Sequence, residues 1–366
     1  MSIETCRNLL FKRGPAVLAC AASFAFGSLA TVVLTGAPEP VPTPPSGAGA
    51  RPVSLLTGLA PLPRAAEKVV KDARLQERAV RRKHDPKPTT ASKATISLYE
   101  SSTSPGVLRR QGCNAAQRGA TGVVILDFGK PSYDGRTYGT ILFSGAFAGN
   151  RDITHAMGAY ATGYVRCLPK GSRDRIELAR GTSNYHPSVP SVYQAGRRWA
   201  SEVMNLQRSL RAANFAAHVT AAAADDVEPA WDPSFWRTRD FYRGYADSRV
   251  GYALYNYGSL DGGIVSGVWN AHQAFYVTGG MRYARAIPEI YNQTMAQEWA
   301  ALAQVAKKRY HRPVKFAGVM TERTSANHGV KPTDAHRMLV RQLAVQGHGT
   351  APASVPAAYT NIMSFG

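Results

Sequence analysis

Residues 217–228, AHVTAAAADDVE, join a short apolar run to three carboxylates within four positions. Residues 217–224 have the length and composition of a strand buried on both faces, as parallel sheets require. Asp225, Asp226 and Glu228 then stand where such a strand would end. The pattern repeats outward from this point. Upstream, 123–126 is a second apolar run and ends in Asp127, and 176–182 is a third, followed by Ser183, Asn184, Tyr185 and His186. Downstream, 250–254 leads to Tyr255, Asn256 and Tyr257, and 274–277 contains Tyr276. Then 286–290 carries Glu289 before Tyr291, and 314–320 runs into Thr321 and Glu322.

Helical periodicity fills the intervals. Trp199, Val203, Leu206 and Leu210 fall on one face of a helix expected over 192–213, and Met295, Trp299, Leu302 and Val305 on one over 292–310. A further helix holds Phe235, Trp236, Phe241 and Tyr245. Seven strands alternating with helices over roughly 250 residues imply an α/β chain of the (β/α)8 or TIM-barrel type. The eighth strand is expected in 137–143, or the barrel is irregular. A doubly wound open sheet fits less well, because no G-x-G-x-x-G follows the first strand.

The N-terminal third reads differently. Arg7, Lys12 and Arg13 precede an uncharged run over 14–37, long enough for a bilayer span. Residues 1–37 are therefore expected to be a cleaved signal peptide or a retained membrane anchor, with the remainder outside the cytoplasm. Residues 38–104 read as a Pro-rich linker and a basic tether, and 105–366 as the barrel domain. The formal charge of +20 divides evenly, with 17 Lys+Arg against 7 Asp+Glu in 1–120 and 27 against 17 in 121–366. The basic density thus belongs to the tether, which reads as a solvated helix or a disordered segment, or alternatively as a site of adhesion to anionic envelope polymer. Nucleic acid is not an expected partner, since no aromatic residues interleave those charges.

Of four cysteines, Cys6 and Cys20 fall in the N-terminal segment. Cys113 and Cys167 each precede an expected strand by about ten residues, which would bring them together at the bottom of a barrel as a disulfide. The competing reading is two separate buried thiols. No C-x-x-C, H-E-x-x-H, G-x-S-x-G or Walker loop occurs, and the histidines lack metal-ligand spacing. No cofactor and no metal are expected.

In a parallel barrel the C-terminal ends of the strands share one face, where active sites form. The carboxylates Asp127, Asp226, Glu228 and Glu289 are the catalytic candidates there. Asn184, Tyr185, Trp231, Tyr255, Asn256, Tyr257, Tyr276, Tyr291 and Glu322 are the substrate-binding candidates. Paired carboxylates beside aromatic faces suit sugar hydrolysis, in which one acid protonates the leaving oxygen and flat rings stack on the sugar. Each also has a plainer reading: Asp225 as a cap, Asp127 before Gly129 as a turn residue, Glu322 beside Arg323 as a surface pair.

Asp226-Val227-Glu228 after an alanine-rich strand resembles the Asp-x-Glu of family-18 chitinases and family-25 lysozymes, and Asp127 resembles a strand-end acid of the latter. The resemblance implies that Glu228 donates the proton and that Asp226 assists. Ala221 and Ala224 stand where the longer chitinase motif has further aspartates, which argues against substrate-assisted chitin cleavage. Over 122–322, including 286–291, the chain is similar to exported bacterial proteins described as glycoside-hydrolase-like barrels. The expected function is an exported glycoside hydrolase acting on an envelope or extracellular polysaccharide. The alternative is a catalytically inactive barrel that binds glycan or serves a structural role in the envelope. Oligomeric state is left open.

Overall fold

A computed structural model describes residues 95–186, 188–322, 330–346 and 355–364. The expected signal or anchor segment, and the linker and tether up to residue 94, lie outside the described residues. Among those described, no helix is long and apolar enough to cross a membrane.

The chain alternates strand and helix. Its elements begin with β1 (Thr95–Tyr99), α1 (Pro105–Gln117) and β2 (Gly122–Asp127), followed by a small meander of β3 (Lys130–Tyr133), β4 (Tyr138–Ile141) and β5 (Phe147–Gly149). Then come α2 (Asn150–Cys167), β6 (Ile176–Gly181), α3 (Val192–Ala212), β7 (Val219–Asp225), α4 (Trp236–Asp247) and β8 (Leu254–Asn256). The short α5 (Ala271–Phe275) continues into a π turn (Tyr276–Gly280). Last are β9 (Ala284–Ala286), α6 (Gln293–Tyr310), β10 (Val319–Glu322), α7 (Pro332–Gln346) and β11 (Tyr359–Ser364).

Eight of these strands form one sheet in the order β10-β11-β1-β2-β6-β7-β8-β9, every ladder parallel. The sheet curls, but not into a regular closed barrel, which corrects that part of the sequence expectation. Its edge strands β9 and β10 share no ladder. They meet only through the isolated bridges Ala286↔Phe316 and Glu289↔Met320. Two features account for the broken seam: β9 is only three residues long, and Pro288, which follows it, has no N–H to donate.

Two further expectations are corrected. Residues 137–143 contain β4, but it pairs antiparallel with β3 and β5 and takes no part in the large sheet. Residues 274–277 are helical rather than extended. The missing parallel strands are β1 and β11. β1 lies before residue 105, so the folded sheet takes in chain that was read as tether.

Side chains alternate across the curled sheet. Val123, Ile125, Ala179, Ala222, Ala224, Tyr257, Ile287, Met320 and Ile362 fill its inner face. Val124, Leu126, Leu178, Ala221, Ala223 and Leu254 face outward into a second core beneath the helices. Helix α3 is positioned by Ser191, whose hydroxyl caps Gln194 N, and it buries Trp199, Val203, Leu206 and Leu210. Arg180 ties β6 to α2 and α3. It is fully buried, stacks 3.9 Å from the Trp199 ring and donates to Asn150 Oδ1 at 2.6 Å. Cys113 and Cys167 form a disulfide. It joins the middle of α1 to the last residue of α2, each cysteine lying about ten residues ahead of its strand, β2 or β6, as expected.

Candidate active site

The inner-face alternation of the strands decides what gathers at their C-terminal ends. Asp127 follows Val123 and Ile125 inward, and Asp226 follows Ala222 and Ala224. Tyr99, at the end of β1, is in register with Asp127. Glu289 bridges to Met320, and Glu322 lies two positions beyond, on the same face. The parallel arrangement therefore delivers Asp127, Asp226, Glu289 and Glu322 to one end of the inner face, with Tyr99, Tyr257 and Tyr291 among them.

Local bonds fix each group. Asp127 accepts from Gly129 N at 2.8 Å. The Tyr257 hydroxyl, 3.3 Å from the Thr182 carbonyl, also reaches Asp127. Tyr291 donates to Glu289 at 2.5 Å. Glu228 lies in the loop just past β7, and its main chain is held by Asn184. The Asn184 Nδ2 donates to Glu228 O at 3.0 Å, and Glu228 N donates to Asn184 Oδ1 at 3.1 Å. Asn184 also donates to Thr238 Oγ1 at 3.1 Å, so it is a buried staple rather than a ligand contact. Asn184→Ala is expected to cost about 1–3 kcal/mol, because it strands the part-buried Glu228 N–H and removes one of the two donors to Glu228 O. Urea denaturation of the variant beside wild type measures that loss.

Burial dominates the electrostatics. It pushes the Asp127 carboxyl up to about 7, against the opposing hydrogen bonds from Gly129 and Tyr257. Burial first, then the charge of Glu322, raises Glu289 to about 8 in spite of the Tyr291 hydroxyl. Asp226 and Glu228 are both held well above the usual carboxylate range, by burial and then by neighbouring acids. Asp225 faces the outer side of β7 and is fully buried, and neither of its oxygens has a hydrogen-bond partner. The ion pairs formed among the described residues join Arg239 and Arg243 to Asp240, and Arg337 to Asp334, away from this cluster. Also among the described residues, no three His, Cys, Asp or Glu side chains are grouped to hold a metal ion.

Several acids thus share a water-poor site in which they cannot all ionise, and their affinities for protons must spread apart. That is the condition under which one carboxyl serves as acid while its neighbour serves as base. No protein family, no curated protein and no solved structure matches this chain.

The binding candidates divide. Trp231 stands at the rim, 40% exposed, on a 3-10 turn whose N–H returns to Glu228 O. Tyr257, Tyr291 and Glu322 belong to the cluster. Tyr185 lies beside the meander, with the Lys130 ammonium 5.5 Å from its ring. Three candidates do not reach the cluster. Tyr255 points inward but one layer lower, where it bonds Glu177. Asn256 is buried and spends its oxygen on Gly258 N at 3.1 Å. Tyr276 sits in the π turn against Phe235 and Tyr242, on the outer side. Three residues of the site were missed from sequence: Tyr99, Ser259 and Asp261. The Asp-Gly-Gly of 261–263 is a turn signal close behind the strand end at Tyr257, and it marks the acid.

Proposed function

We propose that the protein is an exported or membrane-anchored glycoside hydrolase that acts on an envelope or extracellular polysaccharide. Glu228 is its proton donor, and Asp226 or Glu289 supplies the counter-charge. The observation that carries this reading is the convergence of Asp127, Asp226, Glu228 and Glu289 at the C-terminal ends of the parallel strands, in surroundings that favour the protonated form. Glu228 keeps part of its surface in solvent, as a group that meets substrate must. It delivers a proton to the glycosidic oxygen while an ionised neighbour stabilises the oxocarbenium-like centre. The exposed Trp231 ring offers a flat face for a sugar. The Cys113–Cys167 bond supports residence in an oxidising compartment.

The test is reducing-sugar release by the full-length protein from peptidoglycan, chitin and anionic glycans. Release from one of these is expected, with Glu228→Gln slower by about 10²–10⁴-fold and Glu289→Gln also impaired. Equal rates for wild type and both variants would sink the catalytic assignment. Binding of the glycan without any release would favour the inactive, glycan-holding alternative.

A further inference from the structure

Behind Glu228 lies the loop that follows β8, and a count of its protons identifies a residue that acts on Glu228. Ser259 Oγ is 3.0 Å from Glu228 Oε2 and 2.6 Å from Asp261 Oδ1. It also accepts Asp261 N at 3.2 Å. A serine hydroxyl has one proton to give. Two ionised carboxylates would both need it, so one of the two acids must supply a proton of its own. Asp261 is the better acceptor. Its Oδ2 receives Ala230 N at 2.8 Å, and its Oδ1 makes the shorter contact to Ser259. Glu228 has only the longer Ser259 N contact, at 3.3 Å on Oε1. The proton therefore resides on Glu228.

We propose that Asp261 is a positioning residue for Glu228: bridged by Ser259, its carboxylate fixes the Glu228 side chain and holds it in the acid form. The consequence for catalysis rests on the hydrolase reading, whereas the protonation does not. In that reading the Glu228 proton passes to the glycosidic oxygen, and the C1–O bonding pair leaves with that oxygen. Water then adds at C1 and gives its proton to a carboxylate of the cluster. The ionisable groups around the pair are all acids. Asp226 and Glu289 face Glu228 from the sheet and favour its protonated form, whereas Glu298 of α6 faces Asp261 and opposes its charge, an effect the Ala230 N–H on Asp261 Oδ2 offsets.

Asp261 has φ 43°, in the left-handed region, where Asn is well tolerated and Ala is strained. Asp261→Asn therefore removes the charge while leaving the loop backbone in place. The measurement is the infrared carboxylic C=O band of Glu228, isolated as the difference between each protein and its Glu228→Gln counterpart, followed from acid to alkaline pH. In the full-length wild type the band should persist above neutral pH. In Asp261→Asn its midpoint should fall by about one pH unit or more. The alkaline limb of any hydrolysis profile should move with the band. An unchanged midpoint in Asp261→Asn overturns the proposal, whatever the activity. A shifted band with no hydrolysis of any glycan leaves Asp261 in its role and removes the hydrolase reading instead. Should Asp261→Asn fail to fold, Ser259→Ala is read in its place, with the same downward shift expected.

Discussion

Raising the pH from 6.5 to 8.5 is expected to lower the unfolding midpoint by at least about 6 °C. The cause is the set of buried acids. Glu100, with one oxygen unpartnered beneath α1, is raised by burial to about 7. Asp127 is also raised to about 7, and Glu289 to about 8. Each is protonated in the folded chain over a range where the unfolded chain has already released the proton. The folded state then binds more protons, so stability is fully present at low pH and is lost as pH rises through the folded values. At about 1.4 kcal/mol per pH unit of separation, these three groups account for roughly 3 kcal/mol across the window.

The lower limit of the window is set by the histidines. Burial lowers His186 to about 3, and it also lowers His336. These rings are neutral when folded and charged when unfolded, so they destabilise the fold as pH drops below about 6.5. Above that their effect fades over about one pH unit, as the unfolded rings lose their remaining protons, and it offsets only a small part of the loss from the acids. Arg180, lowered by burial to about 9, begins to lose its proton only at the top of the window and offsets little of the loss. Glu100→Gln lies outside the candidate site and should flatten part of the slope. A midpoint that holds steady or rises from pH 6.5 to 8.5 would show that the cluster ionises freely in the folded state.

The strands that could be read from sequence are those whose inner faces are apolar. β2 and β7 present mainly Val, Ile, Leu and Ala on both sides, and their apolar runs stand out, while β6 keeps Ile176, Leu178 and Ala179 around Glu177 and Arg180. β1 and β11 do not, because Ser97, Thr360 and Asn361 interrupt them. These polar groups are buried only because they satisfy one another and the neighbouring backbone. Ser97 bonds Thr360, and Ile125 N donates to Ser97 Oγ at 2.8 Å. Such pairing depends on strand order, which no local window contains. The opposite error arose at 274–277, an apolar run that continues a helix begun by the capping box of Asn270 and Gln273. That signal lay in the sequence, four residues ahead of the run. The same division governs the site. Asp127, Asp226, Glu228 and Glu289 were legible because acids at strand ends are visible one strand at a time. Tyr99 was lost with β1. Ser259 and Asp261 belong to a loop whose importance appears only when it folds back on Glu228. Tyr255 was misplaced by one layer, since the depth of a residue on a strand depends on the register with its neighbour.

Among the most sensitive places on the outside of the fold, together with the Gly196 and Gly244 contact of α3 with α4, should be the contact between α1 and α2. Two glycines let the helices meet backbone to backbone. A Cβ on Gly112 would lie 2.0 Å from Tyr160 O, and one on Gly163 would lie 1.9 Å from Arg109 O. Neither carbonyl is a flexible side-chain end that could swing aside, so a larger residue must drive the helices apart. Gly163→Val is expected to cost about 3 kcal/mol or more, read as a lower denaturant midpoint. The Cys113–Cys167 bond spans 54 residues of sequence across the same pair. By closing that loop in the unfolded chain it should contribute about 4 kcal/mol. The double change Cys113→Ser and Cys167→Ser is then expected to lower the unfolding midpoint by about 8 °C or more. The two losses separate two accounts of the disulfide. If it acts on the unfolded chain, its removal costs nearly the same beside Gly163→Val as in wild type. If it acts by clamping α1 to α2, the triple variant falls well short of the sum, because the clamp has nothing left to hold. In either case the candidate site lies on the other side of the sheet. Any hydrolysis catalysed at the site should therefore be unchanged per folded molecule at temperatures where each variant is folded, and a loss of rate in the folded variant would mean that α1 and α2 position Asp127.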